Sequence, residues 1–381
     1  MAKKTAVPSK TDFAAVSRLY ADIDLDAEGK ACGFLRVPHS VHRSAYGWIP
    51  IPIVRIKNGK GPRVVLLAGN HGDEWEGQVA LGNLIRAVEP EHIKGRLVIL
   101  PSANFPAAMA ATRTSPIDGG NLNRAFPGDA DGDITHQIAH WIEHVLVPGN
   151  DYAIDLHSGG SSLMYVPSAL AVRDDDAGYF RRCLDLLNAF GAPVSYVAAA
   201  PQGGGRTFSS GCRRHGVVAI GTELGGAGAL SATTLEVAES GLRRALKHVG
   251  LLHGLPAPAP RRTRLTEVCG EDYYVYASDG GVYEALTEPG DEVKTGQPAA
   301  RIHFHALART GAVEVRARRP GAVQASARTL RARRLPVPPR HRRDKLEPRR
   351  SHHGHFTTGG MEERMLSTLP PVLRPNIVPR S

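Results

Sequence analysis

Sulfur and aromatic rings are scarce in this chain, which has four cysteines, three tryptophans and 6% aromatic residues among 381. Cys32, Cys183, Cys212 and Cys269 are scattered, with no close pair. That spacing fits reduced thiols in the cytoplasm better than a disulfide framework or a cysteine-based zinc site. No apolar run approaches the roughly 18 residues that a membrane helix needs. The lysines of the N-terminal MAKKTAVPSKTDF precede no apolar core, so a secretory leader is not expected. Excess charge is also missing from most of the chain. The net charge is +10, but residues 316–350 hold twelve Arg and one Lys against Asp344 and Glu347. The remainder is close to neutral and has no reason to attract phosphate backbones, so neither a nucleic-acid nor a membrane partner is expected for it.

Hydrophobic residues make up 42% of the chain, enough for a large core, and the length favours two domains. Four short apolar runs read as buried strands: Arg63–Gly69, Arg96–Pro101, Asp151–His157 and Val217–Glu223. Helical stretches lie between them, including Glu76–Val88 and Ile134–Val147. Strands alternating with helices predict an α/β fold, a mainly parallel mixed sheet with helices on both faces. The Pro/Ala-rich Leu255–Pro260 reads as a linker. A β-type stretch, Tyr273–Phe304, follows it, with a turn at Glu288-Pro-Gly-Asp291. From about Ala306 arginine and proline replace large apolar residues, and such text cannot bury enough surface to offset its ordering entropy. The expected organisation is a catalytic α/β domain over 1–255, a small and incomplete β domain over 262–325, and a disordered basic tail over 326–381. The tail is either a nucleic-acid- or membrane-binding arm or a C-terminus foreign to the domain.

Three polar motifs fall at predicted strand ends, where open α/β sheets bind their ligands. The first, Gly69-Asn-His-Gly-Asp-Glu-Trp-Glu-Gly77, places His71 and Glu74 across a strand-to-helix turn, where both can face one cation. Alone, it fits equally a helix start decorated with acids that the helix dipole favours. The second, Ile154-Asp-Leu-His157-Ser-Gly-Gly160, brings His157 to the same crevice. Two histidines and one glutamate with an open fourth position form the ligand set of a catalytic zinc site. Asp155 either orients the His157 ring or is a carboxylate satisfied by backbone donors. The third, Gly221-Thr-Glu223-Leu-Gly-Gly226, offers Glu223 as a general base, or as a structural loop cap. A polar loop, residues 111–128, adds Arg113, Asn121, Asn123 and Arg124. An Arg fork beside an amide suits a bidentate carboxylate, and a second Arg near zinc would stabilise an oxyanion.

Jointly these motifs resemble the succinylglutamate desuccinylase/aspartoacylase family, relatives of the zinc carboxypeptidases. The pattern H-x-x-E, N-R, D-x-H and distal E is met at His71/Glu74, Asn123/Arg124, Asp155/His157 and Glu223, and the match runs from about Phe34 to Phe304. The resemblance implies one Zn2+ per chain on His71, Glu74 and His157, and Glu223 as general base and acid. It implies Arg113 as the carbonyl-polarising residue, and Asn123 with Arg124 as the grip on the substrate carboxylate. The long loop TRTSPIDGGNLNRAFPG, with DLHSGG and TELGG, is similar to the branch that deacetylates N-α-acetyl-L-2,4-diaminobutyrate in bacterial ectoine degradation. Aspartoacylase, succinylglutamate desuccinylase and carboxypeptidase activities are the alternatives within the class. In another class stands an inactive metal-bearing scaffold with a nucleic-acid-binding tail, against which the localised charge and the intact Glu223 argue. The Tyr273–Phe304 stretch is similar to the family's C-terminal β domain, but the sequence departs from that pattern after about Val315.

Two further features carry less. His136, His140 and His144 recur at four-residue intervals on one predicted helix face without a carboxylate among them, and read as a polar face. Arg206 follows Gly203-Gly-Gly205 on a loop from which it could reach substrate; Ser351–His355 could bind metal adventitiously. The expected partner is a small N-acyl amino acid, and a homo-oligomer is compatible with the sequence.

Overall fold

The computed structural model describes residues 17–268, 276, 280–304, 312–316, 321–322, 325–327 and 329–330. Its centre is a ten-stranded sheet in the order β1-β2-β3-β5-β4-β6-β10-β8-β9-β11. The strands are β1 (Tyr20–Ala21), β2 (Gly29–Pro38), β3 (Trp48–Asn58), β4 (Arg63–Ala68), β5 (Gly95–Leu100), β6 (Tyr152–Leu156), β8 (Ser168–Val172), β9 (Val194–Ala198), β10 (Val218–Glu223) and β11 (Arg264–Val268). The short β7 (Leu163–Tyr165) stands outside it. Pairing is parallel through the central β5-β4-β6-β10 run and again through β8-β9-β11, and antiparallel across β1-β2-β3-β5 and β10-β8. The mixed α/β sheet is thus the expected one. The four predicted strands are β4, β5, β6 and β10, each within one residue at either end.

Strand β4 shows why the sheet needs cover on both sides. Val64, Leu66 and Ala68 enter one core cluster, and Val65 and Leu67 the other, as the two-residue period of a strand dictates. Helices α1 (Trp75–Ala87), α4 (Ala177–Phe190) and α6 (Ala232–His248) cover the first face, contributing Leu81, Leu84, Leu187, Phe190, Leu242 and Leu246. On the second face α3 (Ile134–Trp141) and α5 (Phe208–Arg214) contribute Trp141 and Phe208. The short α2 (Phe105–Ala110) follows β5. Caps start these helices where the sequence supplies them. The Asp176 carboxylate accepts from the Gly178 and Tyr179 amides at 3.0 Å, and Ser231 Oγ from the Thr234 amide at 3.0 Å.

Two expectations need correction. The helix expected over Ile134–Val147 stays α-helical only to Trp141 and passes into a π turn over Ile142–Leu146. Arg264–Val268, expected in the second domain, pairs in parallel with β9 and forms an edge of the large sheet. Beyond it, β12 (Gly281–Ala285), β14 (Pro298–His303), β15 (Ala312–Arg316) and β18 (Thr329–Leu330) form a four-stranded sheet. Strands β13 (Glu292–Val293) and β16 (Gly321–Ala322) pair, and β17 (Ala325–Ala327) pairs with β7. Strand pairing so extends to Leu330; the rest of the expected tail, with Ser351–His355, lies outside the described residues, as does Cys269. Cys32, Cys183 and Cys212 are free. No helix among the described residues is long and apolar enough to cross a membrane.

Helix α1 packs closely enough on the strand ends to leave no room at Gly77. A Cβ there would stand 2.6 Å from Leu156 Cβ and 2.8 Å from Leu156 O. Gly77→Ala is expected to destabilise the fold by about 1–3 kcal/mol through overpacking, although alanine is the better helix former. Urea unfolding checks this, and an unchanged or raised midpoint would show that helix and strand separate freely.

Candidate active site

Strands β4, β6 and β10 are parallel neighbours, with Leu67 opposite Asp155 and Asp155 opposite Gly221. Their carboxyl ends therefore open side by side. His71 follows β4 in the turn to α1, His157 directly follows β6, and Glu223 closes β10. Residues 83 and 85 positions apart meet here.

Glu74 is the N-cap residue of α1, yet its side chain makes no cap hydrogen bond. It lies instead between two imidazoles. Its Oε1 is 2.7 Å from His71 Nδ1 and its Oε2 is 2.7 Å from His157 Nδ1. The Ser158 amide donates to Oε2 at 3.2 Å. Ligand atoms of His71, Glu74 and His157 all lie within 4.8 Å of one another, and all three residues are buried. Among the described residues this is the one such cluster of three. Two nitrogens and a carboxylate form a donor set suited to a divalent metal such as zinc.

Outer partners orient both rings. His157 Nε2 lies 2.8 Å from Asp155 Oδ2, and the Asn70 amide donates to both Asp155 oxygens at 3.0 and 2.9 Å. His71 Nε2 lies 3.1 Å from Asn121 Oδ1. An acceptor beside each Nε2 would keep a ring proton on that side when a cation replaces the proton at Nδ1. Asn70 is not singled out by the sequence, and Asn121 only as one of the polar loop's residues. Their signal was slight: a short amide beside a ligand, and the first Asn of Asn-Leu-Asn-Arg.

The electrostatics follow from burial among opposite charges. Burial disfavours the Glu74 carboxylate, but His157 and His71 outweigh it and hold its pKa far below the usual value. Burial likewise disfavours charge on His157, but Asp155 and Glu74 raise its pKa well above the ordinary range. For His71 burial prevails and the pKa falls. Glu223 is pushed well up, first by burial and then by the Glu74 charge. Glu223 Oε2 is sheltered from solvent and has no hydrogen-bond partner among the described residues. A carboxylate held beside the trio with an open oxygen is free to handle a proton.

Arg113, about half exposed, reaches in from the polar loop with Nη1 3.3 Å from His71 Nδ1 and 3.4 Å from Glu74 Oε1. Asn123 accepts from the Phe208 amide at 2.9 Å and places its amide nitrogen 3.0 Å from His157 Nε2. Arg124 donates to the Asn123 carbonyl at 2.6 Å. Its pKa is lowered, by burial first and then by the charges of Arg113 and Arg206. Arg113 and Asn123 thus reach the trio directly, and Arg124 adjoins Asn123. The histidine row takes no part in this cluster: His136 pairs with Asp133 at 2.7 Å, while the His140 and His144 rings, on α3 and the π turn after it, lie 4.6 Å apart at a tilt of 42°.

A mixed sheet whose central strand ends gather a His–Glu–His trio beside a carboxylate with an open oxygen and an arginine is arranged as a hydrolase. Residues 60–249 match the family described as the succinylglutamate desuccinylase/aspartoacylase catalytic domain. The chain is 40% identical to the N-alpha-acetyl-L-2,4-diaminobutyric acid deacetylase of Halomonas elongata, over 84% of this chain and 92% of that one. It is similar to the product-bound structure of the ectoine utilization protein EutE (DoeB) from Ruegeria pomeroyi, with 38% identity, a TM-score of 0.79, and 83% and 96% of the two chains covered. A succinylglutamate desuccinylase/aspartoacylase from Rhodobacter sphaeroides is similar at 36% identity and a TM-score of 0.76, with 82% and 98% covered. The chain belongs to the succinylglutamate desuccinylase/aspartoacylase family.

If Asp155 orients the His157 ring, Asp155→Ala should weaken divalent-metal affinity roughly 10–100-fold. Competition against a chelator measures this, and undiminished affinity would remove Asp155 from that role.

Proposed function

We propose that the chain hydrolyses the amide of an N-acyl amino acid, and that its substrate is N-α-acetyl-L-2,4-diaminobutyrate, released as acetate and the diamino acid in ectoine degradation. The observation that carries the reading is the convergence of His71 Nδ1, Glu74 and His157 Nδ1 beside the unpartnered Glu223 Oε2. The names of the Halomonas and Ruegeria relatives support the choice of substrate.

In this reading His71, Glu74 and His157 hold one Zn2+, which when bound supplies Lewis acidity, making a water nucleophilic near neutral pH and polarising the acyl carbonyl. Glu223 takes a proton from the attacking water as oxygen adds to the carbonyl carbon. It then returns that proton to the leaving nitrogen as the C–N bond breaks. Arg113 directs its guanidinium at the carbonyl oxygen and stabilises the negative charge that develops there. Asn123 and Arg124 hold the α-carboxylate, and Arg206 adds positive charge at the same end. Burial and the Glu74 charge raise the Glu223 pKa, the direction that favours its holding a proton between the two steps. We read the enzyme as cytoplasmic. The C-terminal β segment is read as its small second domain, with β11 returned to the larger sheet, and the residues after Leu330 as a basic tail.

Glu223→Ala should lower kcat by about 10²–10⁴-fold, the usual contribution of a general acid–base, while zinc still binds. Turnover unimpaired in the metal-replete variant would refute the role. Arg124→Ala should raise KM for the free acid roughly 10–100-fold, as expected for a lost charge-assisted hydrogen bond, and leave the α-carboxamide of the substrate unaffected. Equal losses on both substrates would count against the carboxylate grip.

A further inference from the structure

Between β9 and α5 the chain runs Pro201-Gln-Gly-Gly-Gly-Arg206. Gly203, Gly204 and Gly205 take φ values of 64°, 64° and 77°, a left-handed path that residues with a Cβ avoid. Gly203 lies directly against Arg124, and a Cβ there would stand 2.6 Å from its Cδ and 2.8 Å from its Nε. The loop is therefore a wall of the Arg124 side chain. It has no side chains of its own to fix it until Arg206, whose amide and Nε bond back to Gly203 O at 3.3 Å each, inside the loop.

The tie to the scaffold comes from Arg214, at the end of α5. Its Nη1 donates to Gly205 O at 2.9 Å. Its Nε and Nη2 fork onto Glu143 Oε1 and Oε2, each at 2.7 Å. Glu143 sits in the π turn after α3 and is only 1% exposed. Gly211 leaves room for that carboxylate, since a Cβ there would lie 2.7 Å from Glu143 Oε2. A bidentate bond to a buried carboxylate fixes the guanidinium plane of the partly exposed Arg214, and the third nitrogen can then hold the loop carbonyl at a set position.

We propose that Arg214 is a positioning residue for substrate binding: anchored on buried Glu143, it fixes the Gly203–Gly205 loop through the Gly205 carbonyl and so holds Arg124 in place for the substrate carboxylate. The inference rests on the reading of Arg124 as that carboxylate's grip.

The test is steady-state kinetics of the full-length, zinc-loaded enzyme on N-α-acetyl-L-2,4-diaminobutyrate and on its α-carboxamide, with thermal melts alongside. Arg214→Met alone would leave the buried Glu143 charge with only His215 Nε2 nearby, at 3.9 Å, and endanger the fold. The informative variant is therefore Arg214→Met with Glu143→Gln, which removes both charges. KM for the acid should rise about tenfold with kcat within about twofold, as for a lost charge-assisted hydrogen bond that acts on binding alone. KM for the carboxamide should stay unchanged. Should the double variant fail to fold, Arg214→Lys keeps the charge beside Glu143 but loses the fork, and the same selective rise is expected. Wild-type KM for the acid in the variant, while Arg124→Ala raises it, would overturn this inference and leave the grip standing. Wild-type KM in both would bring down the grip and the inference together. Matching losses on acid and carboxamide would reduce Arg214 to a general structural role and also overturn the proposal.

Discussion

The site depends on one buried carboxylate held between two imidazoles. Glu74 is 2% exposed, and both its oxygens face an Nδ1 at 2.7 Å. An isolated carboxylate at that depth would take up a proton rather than stay charged. It stays ionised because His71 and His157 are there, and they in turn are oriented by Asn121 and Asp155 from behind. Proton and metal compete for the same lone pairs, so the arrangement that stabilises charge on Glu74 is also the one that can receive a cation. Helix α1 gives up its side-chain cap to this arrangement: the N-cap position is spent on Glu74, whose carboxylate turns to the histidines.

The centre of the fold and the site were legible for one shared reason. The central strands β4, β5, β6 and β10 are buried on both faces, so each reads as a short continuous apolar run. Polar residues at the ends of such runs stand out, which is how His71, His157 and Glu223 were found. The antiparallel pair β2 and β3 was not anticipated. β2 mixes exposed and buried positions, and β3 is interrupted by Pro50 and Pro52, both features that weaken a strand signal. Strand β11 was missed because a Pro-rich linker precedes it and only its parallel pairing with β9 returns it to the sheet. The break after Trp141 was also invisible, because Ile142–Leu146 keeps a helical composition while its hydrogen bonding changes to the π pattern.

Orienting groups were harder to read than ligands. A metal ligand announces itself by residue type and spacing, whereas Asn70, Asn121 and Glu143 are ordinary residues that act only through what they touch. Asn70 works through Asp155, Asn121 through the far nitrogen of His71, and Glu143 through Arg214. None of these contacts is local in sequence, so no pattern of spacing reveals them.

The adjacency of β4, β6 and β10 has a bearing on how the chain folds. Glu74 and His157 stand 83 residues apart, and His157 joins His71 and Glu74 only once β6 has slotted in beside β4, a non-local parallel pairing that closes a long loop. Before that step the histidines are strangers in solution and offer an ion little more than single weak contacts. A cation captured afterwards favours the completed sheet alone, so its affinity is added to the stability of the finished protein and withheld from every partly assembled form.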